Sequence, residues 1–531
     1  MTELFIPVPT GKAATAGQMP PSKRRKPDKA PATATATASA TKAVSRSSTV
    51  ESVSARNNGS TSTAPIYHKQ SRKGRTSRLR TAKRNKALNG ETRTVESGKA
   101  SFSLDETNTN VVTYLPFNVA IIKDQEYLDF LEWLKNMGCP RTKLTLAEFS
   151  NTGRGMMATK DIKAGEVIVQ VPERNLVTMK TLQSTYGARI ARFGKKVNSH
   201  MIIALHIALL VQAPERSGWL PYLRMLPKKF DTMPVRYSPE LLELLPQNAQ
   251  VHVNKQKAKI EADYNITLDF LQSNADLLTR PLQYEEYEWA WLVVNTRCIY
   301  LDAKNQSAAD NIALAPMLDF LNHTHDAKTE GAFCTKTKSY QIKTLLPYKK
   351  GEQVFINYGP HDNCFILVEY GFVTPNNPYN YVTVDNDFMQ LSIPGESAAV
   401  KKDKLELLDM AGYHGDYVLH RNDVSFRLLA GMRLRLVNPF NKSSASTQLA
   451  IAQWHNVVNG ELDQISPENE RLVPIHIERL CDEILAQAKK NLGILARKKT
   501  TFAVMHLQQV WIEARDIILS IIDKIHRKEE L

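Results

Sequence analysis

The side chains best suited to chemistry stand at the ends of two apolar runs. The first, Ala315-Pro316-Met317-Leu318-Asp319-Phe320-Leu321-Asn322-His323, closes on a carboxamide and an imidazole. The second, Gly351-Glu352-Gln353-Val354-Phe355-Ile356-Asn357-Tyr358-Gly359, closes on a phenol. Apolar runs of this length, bounded by turn signals, read as buried strands or buried helix ends. Their polar ends therefore fall where buried backbone meets a cavity. Gly359 lets backbone pass close to whatever lies beyond Tyr358. Arg297 ends a third apolar run, and reads either as a helix C-cap helper or as a partner for a ligand carboxylate. His323, His325 and Asp326, with His361 and Asp362 downstream, also invite a metal-site reading. A metal-dependent hydrolase would need further ligands that the spacing does not supply. Taken singly, Asn322-His323 is an ordinary turn pair and Tyr358 an ordinary core tyrosine with a tethered hydroxyl. It is their conjunction that reads as a site.

The rest of the chain must bring these segments together. Order begins near Asp124, where Tyr127, Leu128, Leu131 and Leu134 recur at helical spacing, widened by Phe130 and Trp133 and ended by Gly138 and Pro140. Asn151 to Ala158 is a glycine-containing loop. The turn Lys163-Ala164-Gly165-Glu166 precedes an apolar strand over 167 to 171, and the same turn recurs at Lys349-Lys350-Gly351-Glu352. Two short strands opened by one kind of turn predict a compact fold of small sheets. Residues 180 to about 300 are helical in pattern, with Asn198 or Ser199 as a cap and a proline-broken aromatic connector, Trp219-Leu220-Pro221-Tyr222-Leu223. Strands are expected over 332 to 335 and 340 to 345, and a helix over 363 to 372. Beyond the Pro375-Asn376-Asn377-Pro378 boundary, a strand-like stretch at 381 to 384 leads into helices over 405 to 410, 425 to 436, 476 to 492 and 502 to 525. That block carries no catalytic-looking cluster, and a bundle that helps to bind a partner is the plain reading.

Composition narrows the class. Of 531 residues, 69 are basic and 54 acidic. Residues 1 to 100 hold 20 Lys/Arg against 5 Asp/Glu, so the whole excess of +15 lies in this low-complexity tail. Lys23-Arg24-Arg25-Lys26 looks like a nuclear-import signal or a solvated charge run, and Arg72 through Lys86 is suited to sequence-blind phosphate contact. Five scattered cysteines without a C-x-x-C fit reduced thiols in the cytosol or nucleus. The N-terminus lacks a signal-peptide pattern, and the most apolar run, residues 201 to 211, is too short to span a bilayer. A soluble protein is expected.

Four motifs, in order, resemble the SET-domain protein methyltransferases: Gly153-Arg154-Gly155, the Lys-Ala-Gly-Glu turn, Leu318-Asp319-Phe320-Leu321-Asn322-His323, and Val354-Phe355-Ile356-Asn357-Tyr358-Gly359. The helical insert with Trp219-x-Pro221-Tyr222-Leu223 and Leu226-Pro227, and the helical C-terminal block, are similar to the Rubisco large-subunit methyltransferase-like subgroup. The resemblance covers roughly residues 74 to 531. It implies an α+β fold: a SET domain of small sheets with a pseudoknot over 116 to 373, carrying a helical insert at about 180 to 295, and an all-helical substrate-binding domain over 374 to 531; by composition, residues 1 to 115 are expected to be a disordered basic tail. It implies S-adenosylmethionine as methyl donor, no metal, and transfer to a lysine of a protein substrate, with a histone tail as the expected one. It also implies donor contacts from Thr152, Gly153, Arg154, Gly155, Met156, Arg297, Asp319, Leu321, Asn322, His323, Tyr358 and Tyr370. Tyr358 matches the active-site tyrosine, and Ile299, Tyr300 and Phe372 are expected along the substrate channel. Relatives that methylate histidine carry a polar amide near the position of Ile299, so an apolar residue there leans toward lysine. Thr324 stands where some relatives have serine. A monomer in nucleus and cytoplasm is expected, with the tail touching nucleic acid. The rival readings are an enzyme for non-histone cytosolic proteins and an inactive SET-like interaction module.

Overall fold

The structure is a computed structural model that describes residues 119–301 and 310–531. The basic tail, with its 23 to 26 and 72 to 86 clusters, lies outside the described residues. Ten short strands surround the two opening stretches: β1 (Val119–Ile121), β2 (Leu144–Phe149), β3 (Gly153–Ala158), β4 (Val167–Pro172), β5 (Cys298–Tyr300), β6 (Ile312–Leu314), β7 (Asn322–His323), β8 (Thr329–Cys334), β9 (Ser339–Thr344) and β10 (Gln353–Ile356). They form three small sheets, ordered β1-β2-β3-β10-β7, β4-β9-β8 and β5-β6. β10 runs antiparallel to β3 and parallel to β7, with Phe355 opposite Asn322 and Ile356 opposite His323. The two stretches that carry the candidate chemistry are therefore hydrogen-bonded neighbours.

The repeated turn does what its sequence predicts. In each copy the fourth residue's N–H donates to the first residue's carbonyl, Glu166 to Lys163 and Glu352 to Lys349. Glycine supplies the positive φ at the third position, +86° at Gly165 and +93° at Gly351, as a type II turn requires. β4 and β10 follow directly.

Residues 151 to 158 are more than a loop. Asn151 and Thr152 make the turn of a hairpin, and Gly153 onward is a strand between β2 and β10. The first helix, Gln125–Asn136, is capped by the Asp124 carboxylate, which accepts from the Tyr127 N–H. Its buried face is Tyr127, Phe130 and Leu134, whereas Leu128 and Leu131 are 47% and 36% exposed. The aromatic residues take the core face because they meet Tyr222 and Phe320, which lie within about one ring's length of Phe130.

The insert is helical. Asn198 caps Ser199–Gln212 by accepting from the Met201 N–H. That helix packs on Tyr284–Arg297, and the 26-residue helix Gln247–Gln272 lies against both. Among the described residues no helix is long and apolar enough to cross a membrane.

The C-terminal part is dominated by helices, chief among them the paired Pro467–Leu495 and Phe502–His526. The expectation of an all-helical block needs one correction. β11 (Tyr381–Thr383), β12 (Val418–His420) and β13 (Asp423–Val424) form a three-stranded antiparallel sheet. The strand-like stretch at 381 to 384 is β11, whereas its partners β12 and β13, of three and two residues, carry too little alternation to be read from the chain. A bridging core joins this block to the rest: Leu244 and Val253 of the insert and Leu367 and Val368 of the helix Asn363–Tyr370 pack with Leu507 and Trp511. The Trp511 indole N–H donates to the Leu244 carbonyl at 2.7 Å.

Candidate functional site

Strand pairing sets the site. Because β7 and β10 are parallel neighbours, the chain leaves both at the same end, and Tyr358 emerges beside Leu321 to His323. The Tyr358 hydroxyl donates to the Leu321 carbonyl at 2.8 Å, and its backbone N–H donates to His323 Nδ1 at 3.0 Å. His323 Nδ1 is therefore an acceptor, and the imidazole is neutral: burial lowers its pKa to about 4. Burial pushes the Tyr358 phenol up to about 12, against a smaller opposing pull from Arg297. The phenol is protonated at neutral pH, its proton is committed to Leu321, and its oxygen keeps lone pairs that can accept.

One pocket gathers Tyr358 with Arg297, Ile299, Tyr300, Asp319, Leu321 and Tyr370, all singled out from sequence, and with Thr296, Cys298, Leu318, Ile342, Ile356 and Asn357, which were not. The Tyr370 ring centre lies 5.0 Å from that of Tyr358, and Phe372 stands edge-on to Tyr358 at 6.3 Å. Leu318, Leu321 and Ile342 are each no more than 1% exposed. The walls are thus apolar and aromatic, with one charged pair among them. Asp319 is fully buried, and its Oδ2 accepts from Arg297 Nη1 at 3.1 Å and from the Tyr222 hydroxyl at 2.9 Å. Arg297 Nη1 also donates to the Asp319 carbonyl at 2.8 Å. Burial raises the Asp319 pKa, and the Arg297 guanidinium opposes that rise. Asp319 Oδ1 and Arg297 Nε are both buried without a hydrogen-bond partner, an arrangement that leaves one acceptor and one donor for a ligand. The segment is held under strain: Met317, 5% exposed, has φ +77°, a conformation that persists only where the surroundings over-determine it.

Thr152 to Met156, Asn322, His323 and Phe372, also expected at the site, do not line this pocket; the glycine strand instead meets the Asn322 and Gln353 side chains. Asn322 Nδ2 donates to the Arg154 carbonyl at 3.1 Å, and Thr152 Oγ1 to Gln353 Oε1 at 2.9 Å. A Cβ at Gly155 would strike the Gln353 amide and come within 2.6 Å of Asn322 Nδ2. A side chain there would have to displace both carboxamides. Arg154 is exposed, donating to the Met225 carbonyl at 3.2 Å. Met156 is fully buried, and its side chain belongs to the core. Gly359 has φ +133°, and a Cβ there would lie about where the His361 ring passes.

Tyr222 is the residue that sequence reasoning placed without a role. The first helix holds it: Trp133 stacks on it with ring centres 6.3 Å apart. Gln353 was within the second stretch but unremarked, although a carboxamide opening an apolar strand was a readable signal. His323 has its Nδ1 occupied, His325 Nε2 lies 3.4 Å from Asp326, and His361 stacks on Phe365. Among the described residues no three His, Cys, Asp or Glu side chains are grouped to hold a metal. A larger cavity, about 420 Å³, lies between the insert and the C-terminal helices and contains none of the residues expected at the site.

Residues 153–359 match the SET domain family. The chain is 30% identical over 398 residues to "SET domain-containing protein 4" of Mus musculus, covering 73% of this chain and 88% of that one. To "Ribosomal lysine N-methyltransferase set11" of Schizosaccharomyces pombe it is 27% identical over 364 residues, 68% of this chain and 87% of that one. To "Actin-histidine N-methyltransferase" of Gallus gallus it is 26% identical over 327 residues, 60% and 54% respectively. Among solved structures, the "Crystal structure of the SET domain of LSMT bound to Lysine and AdoHcy" shares the fold at TM-score 0.57 and 20% identity, covering 76% of this chain and 91% of that one.

Proposed function

The chain belongs to the SET-domain protein methyltransferases, and from that premise we propose that it methylates lysine side chains of protein substrates. S-adenosylmethionine is the methyl donor, and the residues present fit it. The buried, unpartnered donor Arg297 Nε suits a ligand carboxylate, and Asp319 Oδ1 beside it leaves an unspent acceptor. When bound, the donor supplies an electrophilic methyl group on a sulfonium. The acceptor nitrogen must attack as a neutral amine, although free lysine has a pKa near about 10.4. Ile299, Leu321, Ile342 and Ile356 around the phenol disfavour the ammonium and lower that pKa. As the N–C bond forms, the S–C bond breaks, and the extra proton on nitrogen leaves to water.

The observation that carries this reading is the hydroxyl of Tyr358, held by Leu321 and kept protonated by burial. Its oxygen accepts weak C–H···O contacts from a polarised methyl group and aims it at the amine. It acts by position and not as a base. Ile299, 9% exposed in the pocket wall, offers no hydrogen bond to an imidazole and favours lysine over histidine. A histone tail is the substrate proposed within this class, on the strength of the basic tail.

Calorimetric binding of S-adenosylmethionine to wild type and Tyr358→Phe, followed by transfer of labelled methyl to core histones and to cell extract, tests the proposal. Label on a histone lysine, absent with the variant, supports it in full. Label on other proteins alone removes the histone and keeps the enzyme. Label on histidine overturns the lysine assignment, and an absence of donor binding overturns the enzyme.

A further inference from the structure

The pocket is walled by the ends of two helices that are not neighbours in sequence. Tyr284–Arg297 delivers Thr296 and Arg297, and Asn363–Tyr370 delivers Tyr370. One buried carboxylate fastens these two ends together. Glu369, 9% exposed, accepts from Asn295 Nδ2 at 2.8 Å through Oε2, and its backbone carbonyl accepts from the same amide at 3.0 Å. Its other oxygen, Oε1, meets His252 Nε2 of the long insert helix at 2.6 Å. That insert helix makes a second contact of the same kind, from Gln256 Nε2 to the Val368 carbonyl at 3.3 Å. Asn295 is two residues before Arg297, and Glu369 is the residue before Tyr370. Neither Glu369 nor Asn295 lines the pocket, and nothing in the chemistry of methyl transfer calls on them directly.

We propose that Glu369 is a positioning residue that sets the separation of the Arg297 and Tyr370 walls, and so the fit of the methyl donor. The inference rests on the methyltransferase reading. The fold leaves few alternatives for this spacing. Gly371, at φ +78°, ends the Tyr370 helix, and its open face is covered by Thr232 and Met233. The chain beyond Tyr370 therefore cannot reset that ring by moving away. A buried carboxylate that takes hydrogen bonds from two separate elements is costly to leave half satisfied, which makes the three-way junction stiff. Tyr358 is held by other means, through Leu321 and His323 of the neighbouring strand. Loosening Glu369 should accordingly weaken the donor's seat while leaving the transfer geometry in place.

The test is steady-state kinetics of the full chain with S-adenosylmethionine varied. Glu369→Ala is expected to raise the donor KM about tenfold with kcat within about threefold, the scale of one or two net hydrogen bonds. Glu369→Gln keeps an acceptor for Asn295 and is expected to restore most of the donor affinity. Asn295→Ala should reproduce the alanine variant, and the double substitution should add little to either, since the two act through one contact. Glu396→Gln, paired with Lys404 and Arg435 and outside the pocket lining, is the control for lost stability alone. If Glu369→Ala lowers kcat and leaves KM unchanged, or raises KM no more than a Glu396 variant with the same fall in Tm, the positioning role is wrong. If the wild-type chain neither binds donor nor transfers methyl, the methyltransferase reading fails and the positioning role falls with it.

Discussion

In the C-terminal core, Glu396 sits between two cations. Its side chain is 3% exposed; Lys404 lies 3.2 Å from one oxygen and Arg435 pairs with the other. Lys404 also donates to the Arg435 carbonyl at 2.6 Å, and Arg435 donates to the Phe388 and Leu391 carbonyls. Beside Tyr358, a second buried carboxylate meets a single cation. Asp319 takes Arg297 and Tyr222 on one oxygen and leaves the other empty. Both clusters are out of water, and both carry the desolvation cost of buried charge. The difference lies in what the carboxylate does. Glu396 spends both oxygens on its own chain, so its carboxylate is fully paired, although Arg435 Nε beside it is buried without a partner. Asp319 keeps one oxygen, and Arg297 one N–H, unspent in the wall of a pocket. A buried carboxylate oxygen left unspent in the wall of a pocket, where the Glu396 carboxylate spends both of its own, marks the place where a ligand is expected.

The largest effect should come from the Glu396 cluster. Glu396→Ala leaves Lys404 and Arg435 buried without a counter-charge, and we expect a loss of about 3–5 kcal/mol of unfolding free energy. Urea denaturation would measure it. Methyl transfer per folded molecule should be unchanged, and a fall in that specific rate would break the distinction between the two clusters.

Acid should strain the site next. The His323 pKa is lowered by burial from 6.5 to about 4. The unfolded chain therefore takes up that proton before the folded one does. Stability is full above about pH 6.5 and falls as pH drops from there through about 4, by on the order of 3 kcal/mol for a shift of this size. His206 and His506, also lowered to about 4 by burial, work in the same direction over the same window. Protonation at His323 has a local consequence that the others lack, because a protonated Nδ1 can no longer accept the Tyr358 N–H. A pH series on His506→Asn should flatten the stability curve and leave the acid limb of the rate profile in place. Loss of that limb with His506→Asn would show that the two histidines are not separable.

What the chain disclosed in advance follows a physical pattern. Asn322, His323 and Tyr358 were legible because apolar runs stop abruptly at them, and Arg297 because it ends a helical run. The Lys-x-Gly-Glu turns were legible because a positive φ requires glycine. Other features had no local mark. β2 and β3 are held by pairing with each other and with β10, and Leu144–Phe149 carries an acid within a short apolar stretch. Leu128 and Leu131 fit a helical stripe as well as Phe130 does, and only the aromatic neighbours across the fold decide which face turns inward. Tyr222 reaches Asp319 across 97 positions of sequence, and Glu369 reaches His252 across 117. Glu369 did carry a signal, since it is the one acid in the apolar run from Cys364 to Tyr370.

Asp319→Asn addresses the incomplete cluster directly. The substitution keeps the shape and removes the charge that faces Arg297. Hydrogen bonds to charged groups contribute about 1.5–3 kcal/mol, and we expect a stability loss at the lower end of that range, because Arg297 remains 15% exposed and retains the Asp319 carbonyl. The donor affinity should fall with it, by roughly tenfold, in calorimetry. A variant that binds donor as wild type does would place Asp319 with Glu396, as scaffolding alone.

The smallest effect expected is that of Tyr222→Phe, and it divides the two clusters most finely. Its hydroxyl donates one bond to Asp319 Oδ2, and its ring stays packed between Phe130 and Trp133 when the hydroxyl is removed. The change costs about 1.5 kcal/mol, the low end for one bond to a charged group, because Arg297 still holds the same oxygen. If Tyr222 only fills the core, that is all it does. If it steadies Asp319 for Arg297, the donor KM rises a fewfold as well, with kcat preserved, because Tyr358 is tied to other atoms. The matching change in the C-terminal cluster is Phe440→Leu, which removes the ring lying 5.2 Å from the Lys404 ammonium and should lower Tm without moving any kinetic constant. A rise in donor KM with Tyr222→Phe alone would place the boundary of the working site at the first helix, since that helix holds Tyr222.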